Sequence, residues 1–165
     1  MASGNAARSK LRSRLVGVGS CAPPTRVTNV DLEELVDTTD EWIAQRTGIR
    51  SRHLLAPGET MSELGSKAAS NALEMAGVDP EEVELVIFAT SSADDLFGDA
   101  AHVARLVGAT NAVAFDLTAA CSGFLFGMNT ASQFLHNGAY KHSRGARRAS
   151  RWPPNETAAV EGSPW

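Results

Sequence analysis

The chain of 165 residues holds only two cysteines, one tyrosine and four histidines, and each scarcity removes a class of function. Cys21 and Cys121 lie far apart, without the paired spacing of a zinc site or a redox motif. Neither a disulfide framework nor a metal site is expected, and a reducing compartment fits best. No apolar run approaches the roughly 18 residues that span a bilayer, and nothing resembles a secretory signal. A membrane partner is therefore not expected. A net charge of −4 with a pI near 5.5 gives no reason to expect nucleic acid.

What remains is an ordinary globular composition, 43% hydrophobic and 21% charged, long enough for one domain with a real core. Charge is spread unevenly. Residues 1–140 carry ten bases against 17 acids, whereas residues 141–165 carry five against two. Residues 1–10 read as a flexible N-terminus, basic and rich in Ser and Ala like the remnant of a transit peptide. Residues 11–140 read as the folded unit. Residues 141–165 read as an unstructured tail, since the apolar pattern stops and Trp152-Pro153-Pro154 cannot continue a sheet interior. The abrupt change at Lys141 is what a shifted reading frame or a misjudged splice site would produce.

Periodicity predicts strands over 15–19, 83–89 and 112–117 and helices over 30–36, 40–47, 59–77, 99–107 and 122–135. Thr39 or Asp40 caps the second helix. Strands alternating with helices imply an α/β layered fold, with a mainly parallel sheet and helices on both faces. Ligands in such folds sit beyond the carboxyl ends of the strands, where residues 91–97 and 118–121 follow strands.

The most informative run is Ala114-Phe115-Asp116-Leu117-Thr118-Ala119-Ala120-Cys121-Ser122-Gly123-Phe124. It reads as a strand, a tight turn of small residues, a cysteine and a helix. That geometry places a thiol at a helix N-terminus, where the backbone dipole favours a thiolate. The small neighbours admit a thioester, with local N–H groups as candidate donors to its oxyanion. A buried cysteine packed in a tight turn fits the same residues, and the local sequence leaves both readings open. Cys21, followed by Ala22-Pro23-Pro24, is assigned as an inert buried thiol.

Asp116-Leu117-Thr118-Ala119-Ala120-Cys121-Ser122-Gly123-Phe124 resembles the active-site segment of 3-oxoacyl-[acyl-carrier-protein] synthase III, the condensing enzyme that initiates type II fatty acid synthesis. Asp40-Glu41-Trp42-Ile43, Arg46-Thr47-Gly48-Ile49-Arg50 and Arg52-His53 are similar to that family's N-terminal signature. Ala89-Thr90-Ser91-Ser92 and Asp94-Asp95-Leu96-Phe97-Gly98 also match in order. The resemblance implies the N-terminal half of a thiolase-like fold, with Cys121 as the nucleophile that takes an acyl group from acyl-CoA (acetyl-CoA). Malonyl-acyl carrier protein would then supply the carbanion for decarboxylative condensation. Trp42 matches the tryptophan that stacks on the CoA adenine, Arg46 the arginine beside it and Thr38 a residue of the same nucleotide site. Phe97 matches the residue that closes the partner's acyl pocket across a homodimer. No permanently bound cofactor is implied, and the compartment would be bacterial cytoplasm or plastid stroma.

The family's catalytic histidine and asparagine lie in a second α/β half that has no counterpart here. His136 stands about 15 residues along the helix from Cys121, roughly 22 Å at 1.5 Å per residue. His53 reads as structural, His102 as a surface-helix residue and His142 as part of the tail. Three readings follow: a condensing-enzyme fragment, a catalytically inactive remnant that keeps CoA binding or a dimer surface, or a related polyketide-type or hydroxymethylglutaryl-CoA-type synthase. The Trp42/Arg46 signature favours the fatty acid branch over the last. A sheet without its neighbouring strands predicts poor solubility or dependence on a partner.

Overall fold

The computed structural model describes residues 13–140 and the short strand at 156–157. The described order is β1 (Arg14–Leu15), β2 (Thr25–Thr28), α1 (Asn29–Glu33), α2 (Asp40–Thr47), β3 (Ser51–Leu54), α3 (Met61–Ala76), β4 (Leu85–Ala89), α4 (Ala100–Val107), β5 (Val113–Leu117), α5 (Gly123–His136) and β6 (Glu156–Thr157). The expected flexible N-terminus at 1–10 lies outside the described residues. So does most of the expected tail at 141–165, within which Glu156–Thr157 pair in parallel with Arg14–Leu15.

The centre is the parallel pair β4–β5, in register from Leu85 opposite Val113 to Ala89 opposite Leu117. Strand alternation sends successive side chains to opposite faces. Phe88, 4% exposed, points with Val86 and Ala114 into a cluster with Met61, Leu64, Ala100 and Val103 of α3 and α4. Ile87, Ala89 and Phe115 face α5 instead. A Cβ added at Gly127 would stand 3.8 Å from the Ile87 side chain, and one at Gly123 only 3.2 Å from Ala89 Cβ. Gly123, Gly127 and Ala131 form the buried stripe of α5, and Phe115 meets Phe134 at 6.3 Å between ring centroids. The α/β layering with helices on both faces is as the pattern implies.

The long helix α3 forms because Met61, Leu64, Ala68, Ala72 and Leu73 recur on one buried face. Thr60 caps its start by accepting from Glu63 N, and Gly77, at φ 67°, ends it in a left-handed turn. The first strand is shorter than expected. Only Arg14–Leu15 pair, because the chain beyond them lies directly on α3. A Cβ at Gly17 would stand 2.2 Å from Ala72 O, and one at Gly19 2.1 Å from Ala68 O.

The first helix is also shorter than the apolar spacing at 30–36 suggests, ending at Glu33. Thr28 and Asp31 close a reciprocal capping box at its start. The sequence reading missed the antiparallel pair β2–β3, which joins Thr25–Thr28 to Ser51–Leu54. Among the described residues the strands thus form three two-stranded sheets, not one continuous sheet.

Candidate active site

Cys121 sits where the sequence places it, in a single 3₁₀ turn (Ala120–Ser122) between β5 and α5. It is a free, exposed thiol, so the buried-cysteine reading of the turn does not hold. Cys21 is the half-buried one, packed against the α3–α4 core cluster. The turn that presents Cys121 is strained. Ala120 has φ 45°, the one positive φ outside glycine among the described residues, in a region that side chains with a Cβ rarely occupy. The cost is accepted next to an exposed thiol, which is where such strain collects.

Two of the local N–H groups are already used. Ser122 N–H donates to Ala119 O at 3.0 Å, and Gly123 N–H donates to Ala120 O. The tight turn uses these two donors itself, which leaves the expected local donation to the N–H of Cys121.

The loop before the turn is tied to the loop after β4. Thr90 N donates to Leu117 O at 3.1 Å, and Thr118 Oγ1 donates to Thr90 O at 2.9 Å. Three carboxylates then fix the 91–99 loop. Asp116, on β5, accepts from Asp99 N at 2.9 Å and Ala100 N at 2.7 Å, satisfying the start of α4. Asp99, 2% exposed, accepts from Asp94 N at 2.7 Å. Asp94 accepts from Met61 N, Ser62 N and the Ser62 hydroxyl at 2.7–2.9 Å, satisfying the start of α3. Burial alone would raise the Asp94 carboxyl. The Ser62 hydroxyl and the Ser62 and Met61 N–H groups outweigh it and hold the group below 3.8. None of the three was singled out from sequence as an anchor; each depends on contacts between distant segments.

On this support Phe97 stands 93% exposed, beside Leu96 at 96%. Trp42 and Arg46 lie one turn apart on α2, with the Arg46 guanidinium 4.3 Å from the centre of the indole ring. Thr39, not Asp40, caps that helix through Trp42 N, and half-buried Thr38 precedes the cap. The structure therefore joins Trp42 to Arg46, and places Cys121 and Phe97 on adjoining, mutually bonded loops.

Among the described residues, His53 and His102 are engaged elsewhere. His53 Nδ1 donates to Pro23 O at 2.6 Å, which fixes its tautomer and gives it a structural task. His102 Nε2 accepts from Arg105 on the exposed face of α4. His136 ends α5, at the far end of the helix from Cys121.

Residues 115–151 match the family model described as 3-Oxoacyl-[acyl-carrier-protein (ACP)] synthase III. The beta-ketoacyl-[acyl-carrier-protein] synthase III of Acaryochloris marina is 55% identical over 140 residues, covering 84% of this chain and 42% of its own length. That of Gloeobacter violaceus is 56% identical over 128 residues, covering 78% and 39%. The crystal structure of the Aquifex aeolicus synthase III superposes with a TM-score of 0.74 at 40% identity, covering 78% of this chain and 42% of that one. Over the matched stretch the chain is similar throughout to 3-oxoacyl-[acyl-carrier-protein] synthase III proteins. Its fold is that of the thiolase-like synthase III structures. The priming beta-ketosynthase of the R1128 polyketide pathway also superposes at 0.74, with 39% identity and coverage of 81% and 41%. The chain thus spans about two fifths of the length of its synthase III relatives. No helix among the described residues is long and apolar enough to cross a membrane.

Proposed function

We propose that the chain carries the acyl-accepting portion of a condensing enzyme of type II fatty acid synthesis. The observation that carries this reading is the exposed Cys121 at the β5–α5 junction, held on the strained turn after Ala120. In the first step the Cys121 thiolate attacks the carbonyl carbon of acyl-CoA. The carbon–sulfur bond to CoA breaks, the CoA thiolate leaves and takes up a proton, and the acyl group stays on Cys121 as a thioester. Trp42 and Arg46 suit the nucleotide end of that donor, an aromatic face for a purine and a guanidinium for phosphate. In the second step malonyl-acyl carrier protein loses carbon dioxide, and its carbanion displaces Cys121 from the acyl group. The product is a 3-ketoacyl-acyl carrier protein with the thiol restored. Phe97 would close the acyl pocket of a second copy, as the family resemblance implies.

The positions of His53, His102 and His136 favour a second reading, a module that binds CoA and takes an acyl group without condensing it. Incubation with acetyl-CoA, followed by peptide mass mapping, tests the first step. The expected outcome is one acetyl group on Cys121, none on Cys21 and none in Cys121→Ser. Label absent from Cys121 sinks the acyl-transfer reading. Label without 3-ketoacyl product on adding malonyl-acyl carrier protein leaves the module.

A further inference from the structure

We infer that Asn29 is a positioning residue for the Trp42–Arg46 stack and thereby sets how tightly the site takes a purine nucleotide. Asn29 is only 1% exposed although its side chain is polar, and a buried amide is costly unless its hydrogen bonds are met. It meets them with three different segments. Nδ2 donates to Asp40 Oδ1 at 2.8 Å and to Ile49 O at 2.7 Å. Oδ1 accepts from Arg52 Nη2 at 2.7 Å. Both amide protons are used, so the orientation of the amide is fixed by its partners.

These partners frame α2. Asp40 is the first residue of the helix, and its second oxygen accepts from Arg50 Nη1 at 2.9 Å. Its backbone N–H donates to Glu33 Oε1 at 2.6 Å. Ile49 lies just past the left-handed glycine that ends the helix. One buried side chain therefore holds both the entry and the exit of a helix only eight residues long. A helix that short is marginal in isolation, and none of its residues is buried. Its direction, and with it the aim of Trp42 and Arg46 along its exposed face, depends on the Asn29 clamp.

The ligand class rests on the nucleotide site proposed above, so the test has one arm that needs no ligand. In a Trp152→Phe/Trp165→Phe background, Trp42 is the sole indole, and its fluorescence anisotropy reports the mobility of α2. Asn29→Ala should lower that anisotropy while amide exchange in α3, β4 and β5 stays at the parent level. Unchanged anisotropy overturns the inference, whether or not a nucleotide binds. In the second arm, CoA is titrated calorimetrically into the full chain. Asn29→Ala should weaken binding about tenfold, and should weaken it less than twofold further in a Trp42→Ala background. Equal losses in both backgrounds overturn the inference, because Asn29 would then not act through Trp42. If the parent chain itself does not bind CoA, the nucleotide reading fails and the anisotropy arm alone decides for Asn29. Should Asn29→Ala not fold, Arg52→Met, which removes the guanidinium that donates to Asn29 Oδ1 and, at 3.5 Å, to Val27 O, is read by the same criteria.

Discussion

Ala120 shows how a single dihedral angle shapes the candidate site. A left-handed conformation costs an L-residue roughly 1–2 kcal/mol, and a β-branched side chain tolerates it worse than alanine. Ala120→Val should therefore destabilise the chain by about 1–2 kcal/mol, read by denaturant unfolding, and should slow acetylation of Cys121. Ala120→Gly should retain acetylation, since glycine adopts this φ freely. Equal acetylation rates in all three proteins would show that the turn geometry does not govern the thiol. At this scale the sequence was legible where chemistry is local. Cys121 stands out because small residues flank it between a strand and a helix. Asn29, just before the helix expected over 30–36, was not singled out, because its three partners are brought to it by the fold.

At the scale of elements, the carboxylate chain joins two helix starts to one strand. The Ser62 hydroxyl and the Ser62 and Met61 N–H groups hold the native carboxyl of Asp94 below 3.8. A group depressed in the native state contributes stability above its unfolded pKa, which is lost as pH falls through the native value. The start of α3 should therefore keep its amide-exchange protection at neutral pH and lose it in acid below about pH 3.8. Asp94→Asn should be less stable at pH 7 by about 1 kcal/mol and should show a flatter acid limb. An identical acid limb in the variant would remove Asp94 from that account. Helices α3, α4 and α5 and strands β4 and β5 were readable from sequence because a buried face repeats in each. The pair β2–β3 was not, since Thr25–Thr28 and Ser51–Leu54 are short, polar and joined only by the fold. The early end of β1 escaped for a related reason: Gly17 and Gly19, which follow it, serve contact with α3 rather than strand pairing.

At the scale of the whole molecule, apolar side chains are left on several surfaces. Leu96 and Phe97 extend from the loop after β4, and Leu125 and Phe126 lie on the outer side of α5. Exposed apolar area of this kind drives association. Sedimentation velocity should show a concentration-dependent shift to larger species, and Leu96→Ser/Phe97→Ser should reduce it. A chain that stays monomeric across the range with both residues intact would contradict this.

Asp116 gives the molecule one more property. Its carboxylate holds the start of α4, where the Phe97 loop ends, while its backbone leads five residues later to Cys121. The two loops therefore share a single fixed post. Neither can be rebuilt alone: lengthening the Phe97 loop would pull on the same carboxylate post from which the Cys121 turn departs.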